Sequence, residues 1–314
     1  MKSLRFITCF TIIVLVVVSC NDPVPGRIKI NLVEYLTHNS VVVESEIVDV
    51  GKGVGLQFRG VCAHKTAIPV LGDLAFRGSY ENESGILFRT GLSGLEPGTR
   101  YILRAYCETN EGVFYSDTFS VRTKLVELIT DTRDGQHYPV KIFGKQTWMI
   151  QNLNYASPGS VLSGGNAKSI PAEFGRLYSY QDALVVCPSG WHLPTDEEWK
   201  TLELTCGVPV AELENDVNRG APAGSNMKEP GTRLWETDNS RFATNESGFS
   251  VVPAGWYNAA NKEFSNIRTA AGYWTVADPS QKVWGRYFYS TSGGIGRLST
   301  GVSSGSYSVR CVKD

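Results

Sequence analysis

Up to about residue 124 the chain alternates apolar and polar positions in short runs. Runs fall at 29–33, 40–44, 55–64, 85–90, 100–109 and 113–122. They are rich in β-branched and aromatic residues and are parted by Gly, Pro and Asn, a pattern that predicts strands packed as a sandwich. Along Tyr101-Ile102-Leu103-Arg104-Ala105-Tyr106 the period of two places Tyr101, Leu103 and Ala105 inward. Beyond residue 124 the texture changes, and all seven tryptophans lie there, from Trp148 to Trp284. One helix announces itself. Pro194-Thr195-Asp196-Glu197-Glu198 has the form of a capping box, with Thr195 capping and Glu198 reaching back. Trp199, Leu202 and Cys206 then share one face at helical spacing. Asp196 and Glu197 stand at the positive end of the helix dipole, so this acidic cluster reads as capping rather than catalysis.

The amino-terminal stretch MKSLRFITCFTIIVLVVVSCND changes the picture. Lys2 and Arg5 precede an apolar run from Phe6 to Val18. That run is shorter than the roughly 20 residues a spanning helix needs, so it predicts a signal peptide over 1–19. Val17-Val18-Ser19-Cys20 resembles the lipobox of bacterial lipoproteins. The resemblance implies cleavage after Ser19 and lipidation of Cys20, with 20–26 as anchor and linker. Each buried acyl methylene contributes about 0.8 kcal/mol, so several chains would hold the protein on a membrane, here the cell outer membrane. The formal net charge is −1 and no basic stripe occurs, which argues against a nucleic-acid partner.

Two further resemblances divide the remainder. Leu95-Glu96-Pro97-Gly98-Thr99-Arg100-Tyr101 resembles the tyrosine corner of fibronectin type III domains. Gly60-Val61-Cys62 and Arg104-Ala105-Tyr106 are similar to neighbouring strands of type III-like modules on bacterial surface proteins. The implied unit is an all-β sandwich over 27–124, acting as a spacer. Cys62 and Cys107 fall on those two strands with a shared inward parity, and a cross-strand bridge or two separate buried thiols both fit. In the second part, Val140 to Met149, Cys187-Pro188-Ser189-Gly190-Trp191-His192-Leu193-Pro194, Pro253-Ala254-Gly255-Trp256, Tyr273-Trp274-Thr275 and Val309-Arg310-Cys311-Val312 follow in order. This series resembles the Fibrobacter succinogenes major paralogous domain, which occurs on exported proteins and brings no established reaction. A further likeness runs from Gln181 to Cys187 and through Gly190-Trp191-His192-Leu193 to Glu197-Glu198. It resembles the region between the first two helices of C-type lectin-like domains, a fold shared by the formylglycine-generating enzymes. It implies an α+β C-type-lectin-like domain over 125–314 with a disulfide between Cys187 and Cys311.

Candidate chemistry is sparse. The four histidines (His38, His64, His137, His192) show no metal-ligand spacing, and no Cys-x-x-Cys pair occurs. Gly301-Val302-Ser303-Ser304-Gly305 matches the nucleophile-elbow string but lacks its strand-to-helix setting. Asp131 and Asp134 before Gly135 read as a turn with Asx bonding rather than a calcium loop. Glu229-Pro230-Gly231 lacks the amide that calcium-dependent sugar lectins use, and the paired cysteines of formylglycine-generating enzymes are missing. Cys206 reads as a small buried hydrophobe. No catalytic residue, metal or cofactor is therefore expected.

A concentration of aromatic residues remains in the second half of the domain. Trp256, Tyr257, Trp284, Tyr287 and Tyr289 are the candidates for ligand contact, since flat rings suit both sugar stacking and protein hot spots. The alternation 284–286–288 against 287–289 implies that one set is buried. The expected function is non-enzymatic recognition of a glycan or a surface protein by a lectin-like head on a lipid-anchored protein. The alternative is a structural or accessory subunit of a surface assembly.

Overall fold

A computed structural model describes residues 27–51, 54–80, 86–165, 169–236, 243–302 and 305–314. The expected signal peptide, the expected lipidation site Cys20 and the expected linker lie outside the described residues. The first part contains nine strands: β1 (Arg27–Glu34), β2 (Ser40–Asp49), β3 (Leu56–His64), β4 (Leu74–Arg77), β5 (Ser79–Tyr80), β6 (Leu87–Ser93), β7 (Arg100–Thr109), β8 (Gly112–Tyr115) and β9 (Phe119–Arg122). They form two antiparallel sheets, β1-β2-β6-β5 and β4-β3-β7-β8, with β9 also paired to β7. Alternate residues of each meet in one core, including Val41, Val43, Val61, Phe88, Leu103 and Ala105. The Tyr101 hydroxyl accepts the Glu96 backbone N–H at 3.1 Å and pins the turn that launches β7.

The register settles the two cysteines of this part. Cys62 pairs with Arg104, and Cys107 pairs with Arg59. Directly opposed residues share a face, so the odd offset sends the two thiols to opposite faces of the sheet. Cys107 joins the core while Cys62 is buried on the other side. Both are free thiols, so the expected shared parity and the bridge between them are corrected.

The C-terminal part departs further from expectation. After residue 126 the described chain forms 14 strands of two to seven residues, spread over several small sheets. Its α-helices are α1 (Tyr180–Ala183), α2 (Asp196–Thr205) and α3 (Ala223–Met227), of four, ten and five residues. The α+β lectin-like architecture is therefore overturned in favour of a nearly all-β build. The reason is local. Ser179 caps α1 through Asp182 N–H, but Val185 and Val186 are β-branched and Pro188 disfavours helix at Cys187, so one turn is all that forms. The stretch read as a first helix is mostly loop.

A five-stranded sheet carries the frame: Glu127–Thr130, His137–Phe143, Gln146–Met149, Val312–Lys313 and Trp191–His192 in spatial order. Cys187 and Cys311 are bridged across 124 residues of sequence, closing a loop worth about 4–5 kcal/mol in the chain-entropy model. Behind the sheet, Trp148 and Trp199 pack edge to face at 5.0 Å, with Phe249 5.7 Å from Trp199.

Helix α2 has the expected capping box, Thr195 Oγ accepting Glu198 N–H at 3.2 Å and Glu198 Oε2 accepting Thr195 N–H at 2.8 Å. Trp199 and Leu202 are fully buried, as their spacing implied. A second buried stripe is charged: Asp196, Lys200 and Glu203. Asp196 accepts Arg286 Nη2 at 2.6 Å and Arg297 Nη2 at 2.7 Å, while Glu203 accepts Arg286 Nε at 2.6 Å and Arg219 Nη2 at 2.5 Å. Burial opposes the charge on Asp196, but the two guanidiniums win and hold its carboxyl well below the ordinary range. The network ties α2 to the sheet formed by Val217–Arg219, Ile295–Ser299, Trp284–Tyr289 and Ala270–Tyr273.

The two parts are joined by close packing. Val42 of β2 lies on the outer face of its sheet yet is 1% exposed. Its neighbour Gly91 abuts the C-terminal part, where a Cβ would lie 2.5 Å from Gly231 N. Asn245 Nδ2 donates to Ser40 Oγ at 3.0 Å, and Arg233 Nε to Ser93 Oγ at 3.3 Å.

Two outcomes follow from this frame. Arg286→Met strips a shared donor from two buried carboxylates, and urea unfolding should show a loss of about 3–5 kcal/mol. The second concerns His192, whose Nδ1 lies 2.7 Å from Asp314 Oδ1 and Nε2 2.8 Å from Glu198 Oε1. Burial alone lowers its pKa, but the two carboxylate bonds outweigh burial and raise it. The stabilisation is then complete below the unfolded value of 6.5 and is lost as pH rises through the folded one. For a partly exposed pair it amounts to less than about 1 kcal/mol. The urea midpoint should fall over that window in the native chain, and this component should vanish in His192→Gln.

Candidate functional site

The strand Trp284–Tyr289 decides where the aromatic candidates point. Its inner face carries Arg286 and Phe288, both fully buried. Gly285, Tyr287 and Tyr289 take the opposite face. Tyr287 is 7% exposed and its hydroxyl shares a 2.7 Å hydrogen bond with Thr300 Oγ1. Trp256, at the start of strand Trp256–Asn258, meets Tyr287 edge to face at 5.9 Å. Tyr307 sits among them, 6.0 Å from Trp256, 5.8 Å from Tyr287 and 4.7 Å from the buried Trp274. Burial raises the Tyr289 phenol pKa, and the nearby Tyr307 raises it further. Trp256, Tyr289 and Tyr307 are each half-buried, so the group presents ring surface over a packed floor of Trp274 and Tyr287.

Glycines make room for this group. A Cβ on Gly272 would lie 2.5 Å from Tyr307 Cδ1, and one on Gly305 would lie 2.7 Å from Tyr307 Cε2. Gly285 likewise leaves space for the Tyr287 ring, which a Cβ would approach to 2.9 Å.

The five sequence candidates thus part company. Trp256, Tyr287 and Tyr289 gather around Tyr307. Tyr257 turns to the other face of its strand and packs on Phe264 at 4.8 Å, against the main core. Trp284 lies on the Arg286 side, with Lys282 Nζ 3.6 Å and the Arg297 guanidinium 3.8 Å from its ring and its indole N–H on Asp278 Oδ2 at 3.1 Å. Its faces are occupied. Tyr307 escaped the sequence reading because it follows a Ser/Gly-rich run, and its one signal was the pair of small residues, Gly305 and Ser306, before it.

Other candidate chemistry resolves simply. Asp131 accepts Arg133 Nε at 2.9 Å and Nη2 at 2.6 Å within its turn. Arg133 holds the Asp131 carboxyl below its usual range, so this oxygen pair already has a cation. Burial pushes the Cys206 thiol up to about 12, and the side chain packs in the core. Ser303 and Ser304 lie outside the described residues. Among the described residues no group of three or more His, Cys, Asp and Glu side chains comes together to hold a metal ion, and no helix is long and apolar enough to cross a membrane.

The model of the Fibrobacter succinogenes major domain matches residues 140–313, more than half of the chain. The chain belongs to the Fibrobacter succinogenes major domain family. The matched span takes in both bridged cysteines, every tryptophan and the whole aromatic group, and it begins beyond the two-sheet sandwich. Among curated proteins none matches the chain. Similar solved structures include the sensor domain of the anti-sigma factor RsgI4 of Pseudobacteroides cellulosolvens, at 19% identity over 32% of this chain and 97% of that one, TM-score 0.26. Another is the sixth fibronectin type III domain of human fibronectin type III domain containing protein 3, at 18% identity over 32% and 85%, TM-score 0.23. Neither likeness carries a function over to the Fibrobacter succinogenes major domain.

The glycine seats give a direct check on this geometry. Gly305→Ala should displace the Tyr307 ring at a cost of about 1–3 kcal/mol. Near-ultraviolet circular dichroism should change with it, while the far-ultraviolet spectrum stays as in the native chain.

Proposed function

We propose that the chain is a non-enzymatic surface lipoprotein whose C-terminal domain recognises a glycan or a protein ligand through the face formed by Trp256, Tyr289 and Tyr307. The observation that carries this reading is the contact of two half-buried rings, Trp256 and Tyr307, over a packed aromatic floor of Trp274 and Tyr287, with Tyr289 on the same strand face as Tyr287. Rings held at fixed angles lose little conformational freedom when a ligand stacks on them, which suits them to recognition. The sandwich serves as a spacer in this reading; its likeness to fibronectin type III domains is supported by the Tyr101–Glu96 bond at its corner. A lipid on Cys20 would anchor the assembly to the outer membrane, as the lipobox resemblance implies.

A second reading, a subunit of a surface assembly, draws on one specific feature. The strand Glu127–Thr130 ends the five-stranded sheet with an open edge, and Leu128 on it is 57% exposed. Such an edge is a template for pairing with another chain.

The test is a fluorescence titration of the chain from Asn21 onward against polysaccharides and glycoproteins, with and without calcium. Saturable, calcium-independent binding is expected, weakened about tenfold or more by Trp256→Ala. Trp284→Ala should leave affinity unchanged, because that ring is engaged elsewhere. Absence of binding across the panel would remove the recognition reading and turn attention to crosslinking at the open edge.

A further inference from the structure

A cleft of about 220 Å³ lies between the sandwich and the family domain, lined from both sides. Its apolar wall includes Leu95 and Pro97 from the sandwich and Pro139, Ile150 and Val252 from the domain. Its polar wall centres on Glu229, only 1% exposed. The Asn39 amide donates to Glu229 Oε1, whereas Glu229 Oε2 is buried with no hydrogen-bond partner among the described residues. The Ser250 hydroxyl lies nearby, 3.4 Å from Asn39 Oδ1 and 3.5 Å from Gly248 O. A buried oxygen of this kind is costly to leave bare and calls for a donor.

The charges around the cleft narrow the class of donor. Arg310 is buried and committed to Asn152 Oδ1 at 3.0 Å and to the Phe249 and Ser250 carbonyls. Arg233 is committed to Glu173 at 2.8 Å and to Ser93. Burial raises the Glu229 carboxyl to about 7, and the Asn39 and Ser250 side chains and the two guanidiniums offset that rise only in part. Burial keeps His38 neutral, lowering it to about 4 with help from Lys141 and Arg310. A cationic ligand would meet this positive surround, and an anion would meet the Glu229 carboxyl. A neutral hydroxyl meets neither objection. An apolar wall opposite a few fixed polar groups is the usual make-up of a small-molecule site.

We infer that this cleft binds a small neutral polyol of about one sugar residue, with a ligand hydroxyl donating to Glu229 Oε2 and a C–H face against the Leu95–Ile150 wall. Because the walls come from both parts of the chain, the ligand would bridge them. This site is separate from the Trp256 face and does not rest on the function proposed for it.

Calorimetric titration of the full-length chain with glucose, galactose, mannose, N-acetylglucosamine and glycerol tests the inference, with ethylamine and acetate as charged comparators. At least one neutral sugar should bind saturably. Glu229→Met replaces a buried carboxyl, partnered at Oε1 alone, by an apolar group of similar length and should fold, while affinity falls about tenfold or more. Gln151→Trp, on the cleft lining, should block binding by filling the space. Trp256→Ala should leave cleft binding intact, which separates this site from the aromatic face. The inference is overturned if no neutral sugar binds, leaving water as the partner of Glu229. It is equally overturned if ethylamine or acetate binds in a Glu229-dependent way, or if both cleft variants bind sugar as the native chain does.

Discussion

The domain is organised around two carboxylates of one helix, Asp196 and Glu203, set in a cluster of three guanidiniums from three separate strands. Charges in such a place are expensive unless every one is matched with good geometry. Matching Arg286 to both carboxylates fixes which residues of its strand face inward. Tyr287 and Tyr289 are then forced to the other side. The aromatic face is thus a geometric consequence of an electrostatic requirement on the far side of the same strand. The same cluster explains why Trp284 is unsuited to contact: Arg297, held by Asp196, lies across its ring.

A second constraint acts where the two parts of the chain meet. Gly91 and Gly231 approach so closely that neither tolerates a Cβ, and a buried carboxyl, Glu229, lies beside that contact. Flexible linkers between domains show none of these features. The sandwich and the family domain therefore hold a defined angle through packing rather than through a stiff connecting segment.

How far the sequence could be read depended on the range of the interaction involved. The capping box of α2 is local, so Thr195 and Glu198 were legible from their spacing. The Cys187–Cys311 bridge was legible through resemblance. Cys62 and Cys107 were not, because their relation depends on a register that no local pattern specifies: one residue of offset reverses a side chain. The expected first helix failed because the apolar run 183–186 was read without weighing its β-branched residues and the proline beyond. Asp196 was read only as a complement to the helix dipole, since its arginine partners lie about 90 and 100 residues away. At the aromatic face, Trp256 and Tyr289 were visible as ring types, but Tyr307 was hidden in a glycine- and serine-rich stretch. Of the glycines in that stretch, Gly305 proved to give the space its ring needs.

The position of Val312–Lys313 bears on the order in which the two parts fold. This short strand lies inside the five-stranded sheet, between Gln146–Met149 and Trp191–His192, and follows both the bridged Cys311 and the buried Arg310. The centre of the frame therefore stays vacant until residues 310–313 are in place. The sandwich has no such dependence, because its strands all lie within the first part of the chain. One part needs only the first segment of the chain to fold; the other must wait for these residues and then close its longest-range contacts together, a slow step for a β-rich topology.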